Sequence, residues 1–222
     1  METKVLVASI DKLENQDLYD YYYEKMPVYR REKIDRYKFD NDKRLSLGAG
    51  ILLMRAVEAE GFNFDDLKIA LTEFGKPEIT NLKNIRFSLS HSKSRVMCAI
   101  SENEIGCDVE LKKNADFSIV QRFFANSEID YLKQECTKPE FLDDFFRIWT
   151  LKESYVKAKG MGFYIPFDSF AIDISSEKPY LDDIMLRDSC QFHEFDIEEE
   201  YKYSCCSICT YEEKIVPQIV EF

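Results

Sequence analysis

The segment IGCDVEL, residues 105–111, sets two carboxylates at a spacing suited to a hard cation. In a strand, Ile105, Cys107, Val109 and Leu111 share one face. Asp108 and Glu110 share the other, about 7 Å apart along the backbone. Like charges so placed repel unless a cation lies between them. Taken alone, the pair is more simply a solvent-facing strand surface with no core residue on its side. A third carboxylate changes the reading. The segment RIWTLKESYVKAKG, residues 147–160, reads as a helix ended by Gly160. With Trp149 at zero and about 100° per residue, Leu142, Phe145, Phe146 and Val156 fall within about 60° of it, and Glu153 lies in the same arc. A carboxylate among aromatics is costly without a partner. Lys157, four residues on, is one partner. A divalent cation shared with Asp108 and Glu110 is another.

Other polar groups suit the same site. Ser90-His91-Ser92 closes a strand and offers two hydroxyls and an imidazole. Arg30, Lys33, Arg36 and Arg44 offer phosphate donors. The stretch from Lys25 to Arg44 holds eight basic and four acidic side chains, which marks either an anion site or the outer face of an amphipathic helix. No glycine-rich phosphate loop, nucleophile elbow or Cys–His nucleophile setting accompanies them. Cys190-x-x-His193 and Cys206-x-x-Cys209 have zinc-like spacing. YKYSCCSICTY reads as a strand, however, and positions three apart in a strand point to opposite faces, so buried cysteines are expected. The residues alone lead to a Mg²⁺-dependent site for a phosphate-bearing ligand.

Several elements must position these groups. Lys4 to Ile10 reads as a first strand, MPVYRREKIDRYKF as a helical segment, and KRLSLGAGILLMRAVEAE as a long helix ended by Gly61. LKIALTEF is a short strand leading to the turn Gly75-Lys76-Pro77, and Ile85 to Ser90 is another strand. RVMCAI and EIGCDVEL read as a hairpin across Ser101 to Glu104. FSIVQRFFANSEIDYLKQE is helical, and strands and turns follow from IPFDSFAID onward. The order strand, helix, strands stands on each side of about residue 102. This predicts an α+β fold of two similar halves in a pseudo-twofold arrangement, residues 1–102 and 103–222.

Composition narrows the partners. The chain has 222 residues, 45% hydrophobic, with 17 Phe and 13 Tyr, ample for a large core. A net charge of −12 argues against nucleic-acid and membrane binding. No apolar run approaches the roughly 18 residues of a membrane span. METKVLVASIDKLENQ lacks a leader's long apolar segment, and seven cysteines follow no disulfide framework, so a monomer in a reducing cytoplasm is expected.

The same residues resemble the Sfp-type 4′-phosphopantetheinyl transferases. That family's Gly-hydrophobic-Asp-hydrophobic-Glu strand stands here as Gly106-Cys107-Asp108-Val109-Glu110. Its Trp-x-x-Lys-Glu-Ala-x-x-Lys-x-x-Gly helix runs from Trp149 through Lys152, Glu153, Ser154 and Lys157 to Gly160. The Ser-His-Ser triplet, the Gly75-Lys76-Pro77 turn and the basic segment from Arg30 to Arg44 match as well, so the resemblance runs from Arg30 to Phe170. Cys107 replaces an aliphatic residue and Ser154 an alanine, and neither removes a charge. The resemblance implies that coenzyme A binds between the halves. Its 4′-phosphopantetheine passes to a serine of an apo acyl or peptidyl carrier protein, leaving 3′,5′-ADP. It implies Mg²⁺ on Asp108, Glu110 and Glu153, with Asp108, Glu153 and Lys157 catalytic. Lys157 would meet the pyrophosphate. Arg30, Lys33, Arg44 and His91 would hold the 3′-phosphate, Lys76 would lie near the adenine, and Ser90 is a further contact. Glu153 would take the serine proton, directly or through a water on the metal. A coenzyme A-binding protein without transfer activity and a Mg²⁺-dependent nucleotide phosphohydrolase are the rival readings. Beside the cleft, DFSIVQRFFANSE offers Phe117 and Ile119 as a carrier-docking surface, with Phe123 expected in the core.

Overall fold

The computed structural model describes residues 1–136, 140–183, 185–186, 189–211 and 214–222. Two antiparallel arrangements dominate. The first sheet joins β1 (Lys4–Ser9), β4 (Arg86–Ser92), β5 (Arg95–Ser101) and β11 (Pro217–Ile219) in the order β11-β1-β5-β4. Only β11 runs parallel to its neighbour, with Val5 opposite Pro217. The second sheet has the order β6-β10-β9, from β6 (Ile105–Leu111), β9 (Gln191–Glu194) and β10 (Tyr201–Ser207). Two short hairpins complete the strands: β2 (Ile69–Leu71) with β3 (Pro77–Ile79), and β7 (Ile172–Asp173) with β8 (Tyr180–Leu181). The helices are α1 (Gln16–Glu24), α2 (Val28–Asp35), α3 (Asp40–Glu58), α4 (Phe117–Phe123), α5 (Asn126–Glu135) and α6 (Phe141–Lys159).

Strand alternation explains the layering. On β1 and β5, Leu6, Ala8, Val96, Cys98 and Ile100 pack with Leu47, Ile51, Leu52 and other residues of α3. The alternate residues Val5, Val7, Met97 and Ala99 pack instead with Ile105, Cys107, Val109 and Tyr203 of the second sheet. Cys206 of β10 faces α6 with Leu151, Tyr155 and Ala158. The order is therefore helix, sheet, sheet, helix. Each half lays one 19-residue helix, α3 or α6, on its own sheet. This is an α+β arrangement, as the element order predicts, with β11 from the far end of the chain joining the sheet of β1, β4 and β5.

Local expectations differ from the structure at four points. The segment MPVYRREKIDRYKF is helical only over α2, because Pro27 supplies an extended N-cap and the turn ends at Asp35. RVMCAI and EIGCDVEL do not form a hairpin. β5 pairs with β4 and β1, while β6 crosses to the other sheet and pairs with β10. The Asp108 face of β6 is not open to solvent, since α6 covers it and Asp108 is 3% exposed. Phe123 is 37% exposed, and its neighbour Phe124 takes the core position. The cysteine expectation agrees with the structure in that Cys190, Cys205, Cys206 and Cys209 are buried.

Candidate active site

β6 and α6 meet more closely than a strand and a helix with ordinary side chains between them can. A Cβ on Gly106 would lie 1.9 Å from the Ser154 carbonyl oxygen and 2.4 Å from the Ala158 nitrogen. Glycine at 106 is thus the condition for laying Asp108 and Glu110 against the helix that carries Glu153 and Lys157. The helix stops at Gly160, whose φ of 69° suits a residue without a side chain, and its N–H returns to the Val156 carbonyl at 3.0 Å.

The other edge of β6 is paired in an uncommon way. In an antiparallel strand, alternate N–H groups point to opposite edges. Those of Cys107, Val109 and Leu111 point away from β10 and are received by serine hydroxyls of β4. Ser88 Oγ accepts from Cys107 at 3.1 Å, Ser90 Oγ from Val109 at 3.4 Å and Ser92 Oγ from Leu111 at 3.1 Å. Two of these hydroxyls then donate to carboxylates. Ser90 donates to Asp108 Oδ1 at 2.7 Å, and Ser92 to Glu110 Oε2 at 2.8 Å. Lys157 Nζ donates to Asp108 Oδ1 at 2.6 Å and to Ser90 Oγ at 3.1 Å. The lysine therefore reaches across to the strand rather than back to Glu153, four residues before it. Burial works against the Lys157 charge, but Asp108 and Glu153 outweigh it and raise its pKa.

The carboxylates repel one another even with Lys157 among them. Burial first, then the Asp108 and Glu110 charges, push Glu153 up to about 7 against the opposing effect of Lys157. Burial and Asp108 likewise raise Glu110. Asp108 Oδ2 is buried with no hydrogen-bond partner. An orphaned carboxylate oxygen beside two mutually repelling carboxylates is a donor set that fits a hard divalent cation. Among the described residues the three form no ready-made metal cluster, and Lys157 is bonded to Asp108.

A cleft of about 550 Å³ has Arg30, Lys33, Lys76, His91, Glu153 and Lys157 on its walls, while Asp108 and Glu110 are not among its lining residues and reach it through Lys157 and Glu153. Among the described residues, Arg30 and Lys33 on its lining form no ion pair. Burial lowers the pKa values of Arg30 and Lys33, and Arg30 adds to the effect on Lys33. Burial also lowers His91, with Lys157, Lys33 and Arg30 adding to the effect. Arg30 Nη2 donates to the Ser46 carbonyl at 2.7 Å, while its Nε is buried with no partner. Two desolvated cations beside a buried imidazole that can take up a proton make an anion site.

The remaining predicted residues fall elsewhere. Arg44 is outside the cleft lining, 4.0 Å from Glu14, with its Nε buried and unpartnered. Lys76 lines the cleft with its stem against Gly160, but its ammonium is engaged by Glu104 at 2.9 Å and the Ala158 carbonyl at 3.2 Å. Phe117 and Ile119 are partly buried against the α6 core. Sequence reasoning did not single out Ser88 or Ser92 as ligands of the β6 edge. The serine at every second position of FSLSHS is the signal that could have found them. Nor did it give a role to Lys152, which is paired with Glu128 inside the core.

Two adjoining family matches cover most of the chain. Residues 14–103 match 4′-phosphopantetheinyl transferase, N-terminal, and residues 104–206 match the 4′-phosphopantetheinyl transferase superfamily. The chain is 33% identical over 184 residues to the 4′-phosphopantetheinyl transferase Sfp of Bacillus subtilis (strain 168), covering 80% of each. It is 35% identical over 161 residues to the 4′-phosphopantetheinyl transferase gsp of Aneurinibacillus migulanus, covering 72% of this chain and 67% of that one. The holo-acyl-carrier-protein synthase structure of Thermotoga maritima aligns with 49% of this chain and 64% of its own, at 18% identity and a TM-score of 0.40. The two family matches and the sequence relatives define a transferase, and the chain belongs to the Sfp-type 4′-phosphopantetheinyl transferase family.

Proposed function

We propose that this chain moves 4′-phosphopantetheine from coenzyme A to a serine hydroxyl of an apo acyl or peptidyl carrier protein, with Mg²⁺ present, and releases 3′,5′-ADP. The observation that carries the reading is the pairing of opposites in one cleft. The cations Arg30 and Lys33 line it with His91, Glu153 and Lys157, and Lys157 binds Asp108, whose second carboxylate oxygen is buried without a partner. A ligand with two separate phosphate groups and a divalent cation satisfies both.

Phosphoryl transfer needs charge neutralised on the pyrophosphate and an oriented hydroxyl nucleophile. Asp108, Glu110 and Glu153 would hold Mg²⁺, which supplies Lewis-acid stabilisation of the pyrophosphate. Lys157 adds a point charge on the same group. Arg30, Lys33 and His91 bind the 3′-phosphate, with Arg44 as the outer member of that set. Lys76 contributes its stem to the adenine end of the cleft, its charge being already used by Glu104. Glu153 accepts the serine proton, directly or through a water.

The test mixes the chain with coenzyme A, Mg²⁺ and apo carriers of both types, and weighs the carrier afterwards. A mass gain of one phosphopantetheine, with 3′,5′-ADP appearing only when carrier is present, is expected. Nucleotide release without carrier would make the chain a phosphohydrolase. Coenzyme A binding without either product would leave a binding protein.

A further inference from the structure

We infer that Ser92 is a positioning residue of the transfer site, fixing Glu110 for the cation; the inference rests on the metal reading above. Ser92 closes β4, and its hydroxyl is held at both ends. It accepts the Leu111 N–H at 3.1 Å and donates to Glu110 Oε2 at 2.8 Å. A serine hydroxyl has one proton and can accept from more than one donor. The backbone bond from β6 fixes where the oxygen sits, and the single proton goes to the carboxylate. Glu110 is partly buried and repelled by Asp108, with one side-chain hydrogen bond to oppose that repulsion. Without the Ser92 hydroxyl, this glutamate has rotamers pointing away from Asp108, and charge repulsion selects them.

The ladder supplies an internal comparison. Ser88 makes the same backbone bond to β6, at 3.1 Å, but among the described residues its hydroxyl meets no carboxylate. Ser90 touches Asp108 and Lys157 and so belongs to the site already described. Ser92 alone joins the β6 edge to Glu110. The distinction predicts that Ser88 serves the fold and Ser92 serves the metal.

The experiment uses the full chain and Mn²⁺ as a spectroscopic probe, with and without coenzyme A. Ser92→Ala should weaken Mn²⁺ binding by about 10- to 100-fold, the range typical for residues that orient a metal ligand. The Mg²⁺ concentration for half-maximal transfer should rise in parallel, while kcat at saturating Mg²⁺ and the KM for coenzyme A stay near wild type. Ser92→Thr keeps the hydroxyl and should restore metal affinity. Ser88→Ala should lower the melting temperature without moving either metal constant. If Ser92→Ala does not fold, Ser92→Cys, close in size but a poor donor, carries the same comparison. Unchanged metal constants in the hydroxyl-free variant would overturn the role of Ser92 and leave the metal reading standing. Failure of the wild-type chain to bind Mn²⁺, with transfer that ignores Mg²⁺, would overturn both.

Discussion

Replacing Lys152 by methionine should expose how much of the catalytic helix rests on one buried charge pair. Lys152 and Glu128 have side chains 0% and 2% exposed, and Nζ lies 2.7 and 2.8 Å from the two carboxylate oxygens. Glu128 also accepts the N–H groups of Ala125 and Ile172, at 2.9 and 2.8 Å. The lysine also donates to the Phe170 carbonyl at 2.6 Å and sits over the Phe170 ring. Removing one partner of a buried pair typically costs about 3–5 kcal/mol, because the other charge stays behind. Two backbone donors remain on Glu128, so the lower end applies, about 3 kcal/mol. For a chain of this size that is a fall of roughly 6–12 °C in melting temperature. The loss should depend on pH. Burial already raises Glu128 although Lys152 opposes it, so deleting the lysine raises it further. A carboxyl with a raised folded pKa binds its proton more tightly folded than unfolded. Its stabilising contribution is therefore present below the ordinary value of about 4.3 and is lost as pH rises through the folded value. The deficit of Lys152→Met against wild type should be full at pH 8 and shrink toward pH 5. Urea unfolding followed by Trp149, the single tryptophan, packed between Phe145 and Phe167, reads this directly. A deficit under about 1 kcal/mol at pH 8, or one flat across this range, would refute the reasoning.

Four shorter predictions follow from the site. Gly106→Ala must push its Cβ into the α6 backbone and should cost at least about 3 kcal/mol; a melting temperature equal to wild type would show that β6 and α6 do not touch there. Asp108→Asn keeps the shape that Ser90 and Lys157 hold and should lower transfer by about 100-fold or more at low Mg²⁺, so near-normal turnover would remove Asp108 from the metal site. Because burial and neighbouring cations lower His91, binding of 3′,5′-ADP should take up a proton and tighten as pH falls from 8 to 5.5; in calorimetry, His91→Asn should flatten that slope, and an equal slope in the variant would clear the histidine of the role. Phe123, exposed beside Trp149, replaces Phe117 and Ile119 as the better docking candidate, so Phe123→Ala should raise the carrier KM and leave coenzyme A affinity unchanged; steady-state kinetics with an unmoved carrier KM would dismiss the surface.

Much of the site could be read before any coordinates, because its signals are local. The two carboxylates two apart on one strand, and the glutamate and lysine four apart on one helix, are fixed by periodicity alone. Gly160 as the helix end follows equally from its lack of a side chain. What escaped depends on partners distant in sequence. β5 and β6 look like a hairpin because three residues join them, yet burial of both faces of β6 requires it to cross to β10 and lie under α6. Nothing local pairs Lys76 with Glu104, 28 residues on, or with the carbonyl end of α6, so its engagement is visible only in the fold. Phe123 and Phe124 cannot be told apart by type, and only the packing around Trp149 decides which one is buried.

The parallel pairing of β11 with β1 ties assembly of the first sheet to the last segment of the chain. During synthesis, β1 emerges first, and the strand that covers its outer edge is made nearly a whole chain length later. Until then one edge of β1 presents unpaired N–H and C=O groups, a template for strands of other molecules. Closing so long a loop is slow relative to the local hairpin of β4 and β5. The 1–102 segment expressed by itself would keep that edge open and should aggregate. Supplying residues 214–222 as a separate peptide should fill the vacant lane beside β1 and slow pairing at that edge, although the Val5, Val7, Met97 and Ala99 face stays bare.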